Sequence, residues 1–189
     1  AAEEVARVCE VTLTQREDST GTYPMAGIPI DNASSYLERL VDADYRVAIA
    51  DQIEDAEAAT GLVDRAVTRV VTPGTVVEEE LLTAGTTNYV ASVVADDDGF
   101  GIAAVDVSTG ECFVTSVPEA ADVSEELDRI SPSELLVAPE TPTFSPADAT
   151  SGWMETEVDS TLFDRKAAVD RLSAYVDPDR HLSTDAERR

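Results

Sequence analysis

One histidine, one lysine, one tryptophan and two cysteines are all that 189 residues hold of those types. His181 by itself assembles no zinc site, and a serine triad would have to rely on that single imidazole. Cys9 and Cys112 are too few for a disulfide framework, and their separation matches no metal spacing. No stretch has the charged-then-apolar form of a signal peptide, and no apolar run reaches membrane-spanning length. The chain therefore reads as soluble, reduced and cytoplasmic, and Asn32-Ala33-Ser34 as a chance match to a glycosylation acceptor. Also missing are G-x-x-x-x-G-K-[ST], G-x-G-x-x-G and G-x-S-x-G, which argues against nucleotide hydrolysis within this chain.

Positive charge is scarce as well. Thirteen basic residues face 39 acidic ones, for a formal net charge of −26, and every base except Lys166 is arginine. The acids are scattered along the chain and not gathered into a tail. Scattered acid with almost no lysine, over an intact apolar pattern, suits a protein adapted to strong salt. At molar salt the Debye length shrinks to roughly 3 Å, which screens the self-repulsion of a compact acidic surface. On this reading the charge reports the solvent more than the partner.

What is present is an ordered series of short elements. Residues 2–9 look like the last turns of a helix, with Val5 and Val8 inward, and the chain starts without Met as a piece of something longer would. "CEVTLTQ" (9–15) alternates like a half-buried strand, and "REDSTGTYP" reads as a polar loop. Asp31 or Asn32 is placed to cap a helix carrying Ala33, Tyr36, Leu37, Leu40 and Val41 at i, i+3, i+4, i+7, i+8 spacing. "YRVAIADQI" (45–53) and "AVTRVVTPG" (66–74) are β-rich, the second halted by Pro73-Gly74. Strand alternating with helix implies an α/β layer domain over residues 1–80. Residues 81–88 read as a linker, and Glu78, Glu79 and Glu80 as a solvated helix start.

A second domain is expected over 89–189. Three closely spaced strands, 89–96, 99–107 and 111–117, are joined by Asp-Asp-Asp-Gly and Ser-Thr-Gly-Glu turns. A helix with Val123, Leu127 and Ile130 inward, two further strands (134–138 and 153–159) and a helix over 161–176 complete the series. This is the order of a ribonuclease-H-like fold, incomplete at its C-terminal end. The fold class is thus α/β in two domains, the first with a mixed sheet.

Candidate sites follow from residue type and placement. Asp106 lies in the strand region where a ribonuclease-H-like nuclease keeps a metal-binding carboxylate, with Asp159 or Asp164 as possible companions. One carboxylate does not make a two-metal site, and a structural Asp is the plainer reading. Arg16 and Arg69 sit at strands of the first domain, as phosphate forks or as partners of nearby carboxylates. Pro24 and Pro29 fix φ on either side of Met25 and Ile28, while Gly27 permits a positive φ or a close backbone approach. Met25 and Ile28 then either stay presented or cover a sheet edge.

"LTQR" (13–16), "PMAGIPIDNASSYLERLV" (24–41), "RVAIADQIED" (46–55) and "VTRVVTPGT" (67–75), in this order, resemble the N-terminal part of the MutS family of DNA mismatch-repair proteins. The resemblance continues through "GFGIAAVDVSTGECFVT" (99–115) and "ELDRISPSELLVAPE" (126–140). It implies a mismatch-recognition domain followed by a connector that is ribonuclease-H-like in fold and not a nuclease. It implies binding of mispaired double-stranded DNA in the minor groove, with Arg16, Met25, Gly27 and Arg69 toward the DNA. It implies docking of a MutL-type partner on the connector, with Thr161 and Leu162 as the candidate surface, although Leu162 and Phe163 also read as core. A homodimer, and an ATPase using ATP and Mg, would belong to the full-length protein; this chain would need no cofactor and hold no metal. A recombination paralogue in the same family is the alternative to repair. The family's Phe-x-Glu wedge is absent here, and Ile30 stands where a tyrosine is typical. The isolated chain is therefore predicted to bind DNA weakly and without preference for a G·T mispair over a matched duplex. Clear discrimination in a fluorescence-anisotropy titration contradicts this.

Overall fold

The computed structural model describes residues 1–18, 21–54, 63–76, 87–96, 98–142, 144 and 152–177. The chain divides into two compact units, Ala1–Ala84 and Gly85–Arg189. The expected short helix and linker at 76–88 fall largely outside the described residues. None of the described helices is long and apolar enough to cross a membrane.

In the first unit, α1 (Ala2–Val8) leads into a hairpin of β1 (Leu13–Asp18) and β2 (Gly21–Ala26). The strand read at 9–15 therefore begins later. Residues 9 and 10 instead close α1: the Cys9 amide donates to the Val5 carbonyl (2.9 Å), and Glu10 takes a positive φ of 55°. The supposed polar loop is mostly ladder, paired from Leu13↔Ala26 to Asp18↔Gly21. A 3₁₀ turn (Ile30–Asn32) then enters α2 (Ala33–Asp42) without a side-chain cap from Asn32. Leu40 and Val41 are buried on its inward face, which is the face the 3.6-residue spacing selects.

β3 (Val47–Gln52) and β4 (Arg65–Val71) form a second antiparallel hairpin with an irregularity between Ile49 and Ala50. Val71 and Val76 pack with Val41, and Val47 and Ile49 flank them. Thr72 and Thr75 close the following 3₁₀ turn (Pro73–Thr75) by a reciprocal capping box. Polar contacts tie the helices down. The Tyr45 hydroxyl donates to Glu4 Oε2 (2.8 Å), which Arg7 Nη2 also reaches (2.7 Å), and Arg39 Nη1 donates to the Cys9 carbonyl (3.3 Å). All described strand pairing in this unit is antiparallel, in two separate ribbons; mixed pairing lies in the second unit.

That unit is a five-stranded sheet of β5 (Tyr89–Asp96), β6 (Gly99–Asp106), β7 (Cys112–Val117), β8 (Glu134–Val137) and β9 (Met154–Glu157). Its order is β7-β6-β5-β8-β9, with β6 alone antiparallel to the rest. This is the arrangement expected of a ribonuclease-H-like fold. α3 (Ala120–Ile130) lays Val123, Leu127 and Ile130 into a core with Ala91, Val93, Ile102, Ala104, Leu135 and Phe144. Truncating Leu127 to Ala removes roughly 2–5 kcal/mol from such a core. Phe100 and Phe144 meet edge to face at 5.9 Å, as do Tyr89 and Phe113 at 5.8 Å.

The single helix expected over 161–176 is divided. A 3₁₀ turn (Ser160–Phe163) is followed by α4 (Arg165–Leu172), because Asp164 is extended and caps the new helix. Asp164 Oδ1 accepts from the Ala167 amide at 2.8 Å. An aspartate that satisfies a helix's free amides fixes where the helix starts.

Gly99 shows where glycine is obligatory. Its φ is +138°, and an added Cβ would lie 2.6 Å from the Val117 carbonyl oxygen. Gly99→Ala should cost at least about 2 kcal/mol in a denaturant melt at constant salt. A change below about 0.5 kcal/mol would refute this packing.

Candidate nucleic-acid interface

Opposed residues of an antiparallel ladder share a face. The register Thr14↔Met25 and Arg16↔Tyr23 therefore puts those four side chains on one side of the β1–β2 ribbon. Gln15↔Pro24 and Leu13↔Ala26 occupy the other. Met25 is 40% exposed, so it is presented and not folded into a core. Thr14 Oγ1 donates to the Met25 carbonyl (3.0 Å), which ties the Met25 backbone to β1. Arg16 is exposed and makes no hydrogen bond or ion pair with any described residue.

Arg16 is alone in this among the first unit's described cations. Arg7 pairs with Glu4, Arg39 with Glu10 (3.6 Å) and Arg65 donates to the Val63 carbonyl, while Arg46 and Arg69 have partners within the chain. Arg16 is thus the guanidinium of the first unit that no described residue engages. Arg69 is half-buried on a different ribbon, opposite Ile49 and on the face that carries Val47 and Val71 into the core. The structure brings Arg16 and Met25 together and leaves Arg69 on the other hairpin.

Gly27 follows β2 and does not take the positive φ that glycine would permit. A Cβ there would meet nothing within 4 Å. The open space on this side belongs to solvent. Beyond it Ile28 is partly exposed and Ile30 is 89% exposed.

Asp106 ends β6, buried, and its carboxylate is fully employed. Oδ1 accepts from Ser108 Oγ (2.7 Å), the Ser108 amide (2.9 Å) and the Asn88 amide (3.3 Å). Asn88 Oδ1 in turn accepts from Ser133 Oγ (2.5 Å), so the clasp joins the ends of β5, β6 and β8. The Ser108 hydroxyl contributes most to holding the Asp106 carboxyl down at about 2; burial opposes it, and the Ser108 and Asn88 amides add to the lowering. Asp159 accepts from the Thr161 amide (2.8 Å), which holds its carboxyl below the usual range, and Asp164 caps α4. Among the described residues no three His, Cys, Asp or Glu side chains gather to hold a metal ion. These aspartates are turn and helix fasteners. Another buried carboxylate, Glu134, accepts from Thr156 Oγ1 across β8 and β9.

In the second unit, Thr161 and Leu162 sit in the 3₁₀ turn before α4 and not within a helix. Leu162 is 46% exposed, which overturns the reading of it as core; Phe163 is half-buried. Arg165, Lys166 and Arg171 on α4 also have no partner among the described residues.

Comparisons with known proteins agree with the division into two units. A sequence model of MutS domain I matches residues 1–80, and one of MutS domain II matches residues 88–170. The DNA mismatch repair protein MutS of Natronomonas pharaonis is 54% identical over 189 residues, covering all of this chain and 21% of that protein. DNA mismatch repair protein MutS 2 of Haloarcula marismortui is 51% identical, again over the whole chain and 20% of its own length. The Thermus thermophilus MutS is 46% identical over 139 residues, 74% of this chain and 17% of that protein. The chain thus spans about a fifth of the length of the curated relatives that match all of it.

The Asp106 clasp predicts an acid response. A carboxyl lowered from 3.8 to about 2 adds stability that is complete above pH 3.8 and is lost as pH falls toward 2. Asp106→Asn should flatten acid unfolding in that window at fixed salt. Wild-type steepness in the variant would show the clasp to be energetically idle.

Proposed function

The chain belongs to the MutS family, and from that premise we propose that it serves DNA mismatch repair as the DNA-contacting and signal-coupling portion of a longer protein, without catalysis of its own. Residues 1–80 act as the mismatch-recognition domain, 81–88 as a linker and 89–189 as a connector. The observation that carries the reading is one face of β1–β2, which Arg16, engaged by no described residue, shares with an exposed Met25.

A guanidinium without a carboxylate partner is available to fork a phosphate. Beside it, an apolar side chain held on a ladder can press on a groove without collapsing inward. A mispaired step bends at lower cost than a matched one, so a surface that fits only bent DNA favours the mispair. Gly27 leaves room for the duplex to approach the backbone after β2, whereas half-buried Arg69 supports the second ribbon. The connector is held by the Asp106 clasp, not run by it. Leu162, fixed in its turn by Asp159, together with Thr161 forms the docking point for a MutL-type partner. Hydrolysis of ATP with Mg2+, and homodimerisation, belong to the longer protein, which works on double-stranded DNA in the cytoplasm.

Arg16→Ala should weaken duplex binding for matched and mispaired DNA alike and reduce the salt slope by about 1. Arg129→Ala, which removes a cation already paired with Glu126 at 2.6 Å, should leave both unchanged. Anisotropy titrations over a salt series check this. Equal effects from the two variants would count against the β1–β2 face.

A further inference from the structure

We infer that Tyr23 makes a second apolar contact with the duplex, lying beside Met25 against the sugar-lined minor groove while Arg16 holds the adjacent phosphate. This rests on the reading that the β1–β2 face meets DNA. Tyr23 is directly opposite Arg16 in the ladder and two residues before Met25, so the three share one face. It is 39% exposed, close to Met25, and makes no hydrogen bond or ring contact with any described residue. The cation–π pair in this unit is Arg39 over Tyr36, at 6.0 Å, not Arg16 over Tyr23. Among the described residues neither the ring nor the guanidinium has a partner.

A tyrosine so placed contributes little to the fold. Its own ribbon has no core on this face, and the buried cluster of the unit lies with Val41, Val71 and Val76. Its chemistry suits a groove. The ring offers a flat apolar surface to deoxyribose, and the hydroxyl is a donor for the base-edge acceptors that line the minor groove. Cross-strand neighbours stand about 5 Å apart, so Arg16 reaches the strand backbone while Tyr23 points between the strands. Arg16, Tyr23 and Met25 then supply charge, flat surface and flexible apolar bulk in one short row, which matches the arginine-plus-wedge chemistry of groove-widening proteins.

The test places the photocrosslinker p-benzoylphenylalanine in this chain, one position at a time, at Thr14, Tyr23 and Met25, and at Leu13 and Gln15 on the opposite face. Each is irradiated with a labelled G·T duplex at constant salt, with and without netropsin filling the minor groove. The expected result is crosslinking from positions 23 and 25, little from 13 and 15, and loss of the adduct with netropsin. Crosslinks at 14 and 25 without one at 23, or an adduct at 23 that netropsin leaves intact, overturn the inference while the β1–β2 contact stands. No crosslink from any of 14, 23 and 25 overturns both. Tyr23→Ala should in addition weaken binding about tenfold and Tyr23→Phe less than about threefold, with thermal melts unchanged. A wild-type affinity for Tyr23→Ala overturns the inference.

Discussion

Cations are scarce beside the acids of this molecule, and where each one is used shapes the rest. With 39 carboxylates against 13 bases, an arginine left without a partner stands in a field of acid. Four of the described arginines are absorbed in visible ways: Arg7 by Glu4, Arg39 by Glu10 and the Cys9 carbonyl, Arg65 by its own loop and Arg129 by Glu126. Those contacts are exposed, so water and salt screen them and each adds little to stability. Their larger effect is positional, since Arg39 fastens the end of α1 to α2 while Glu4 and Arg7 meet Tyr45. Arg16 has no such partner among the described residues and lies on a ribbon face whose other members, Thr14, Tyr23 and Met25, are exposed.

The two units distribute their stability differently. The second builds its larger core between α3 and the sheet, with nine buried members among the described residues, and seals one sheet end with the Asp106–Asn88–Ser133 clasp. The first has, among the described residues, a small buried cluster and two separate ribbons, one of them exposed along most of its length. A ribbon that spends few side chains on packing has them available for a ligand. A rigid mixed sheet is suited to holding a relative position under load. The proposed contact in one unit and transmission in the other suit that difference in construction.

Much of this was legible in the chain, for identifiable reasons. The strands of the second unit announce themselves by alternation because one or both faces are buried, and α3 by the spacing of Val123, Leu127 and Ile130. β1 shows only in part, at the end of the alternation over 9–15, and β2 not at all, because a ribbon with exposed faces has little apolar period to read. The helix over 161–176 was read as continuous because Asp164 looks like any surface acid until its carboxylate is seen capping Ala167. Arg16 and Met25 stood out by type and motif. Tyr23 did not, since only the register Arg16↔Tyr23 reveals that it shares their face. The positive φ that Gly27 would permit is not adopted, because φ cannot be read from the letter G.

The central claim is that the outer face of β1–β2 is where this chain meets DNA. Amide chemical-shift mapping of the 15N-labelled chain, titrated with a short G·T duplex at constant molar salt, tests it most directly. The account predicts perturbations concentrated at Thr14, Arg16, Tyr23, Met25 and Gly27, with the sheet of the second unit silent. Perturbations concentrated instead on α4, where Arg165, Lys166 and Arg171 also lack partners among the described residues, would contradict it.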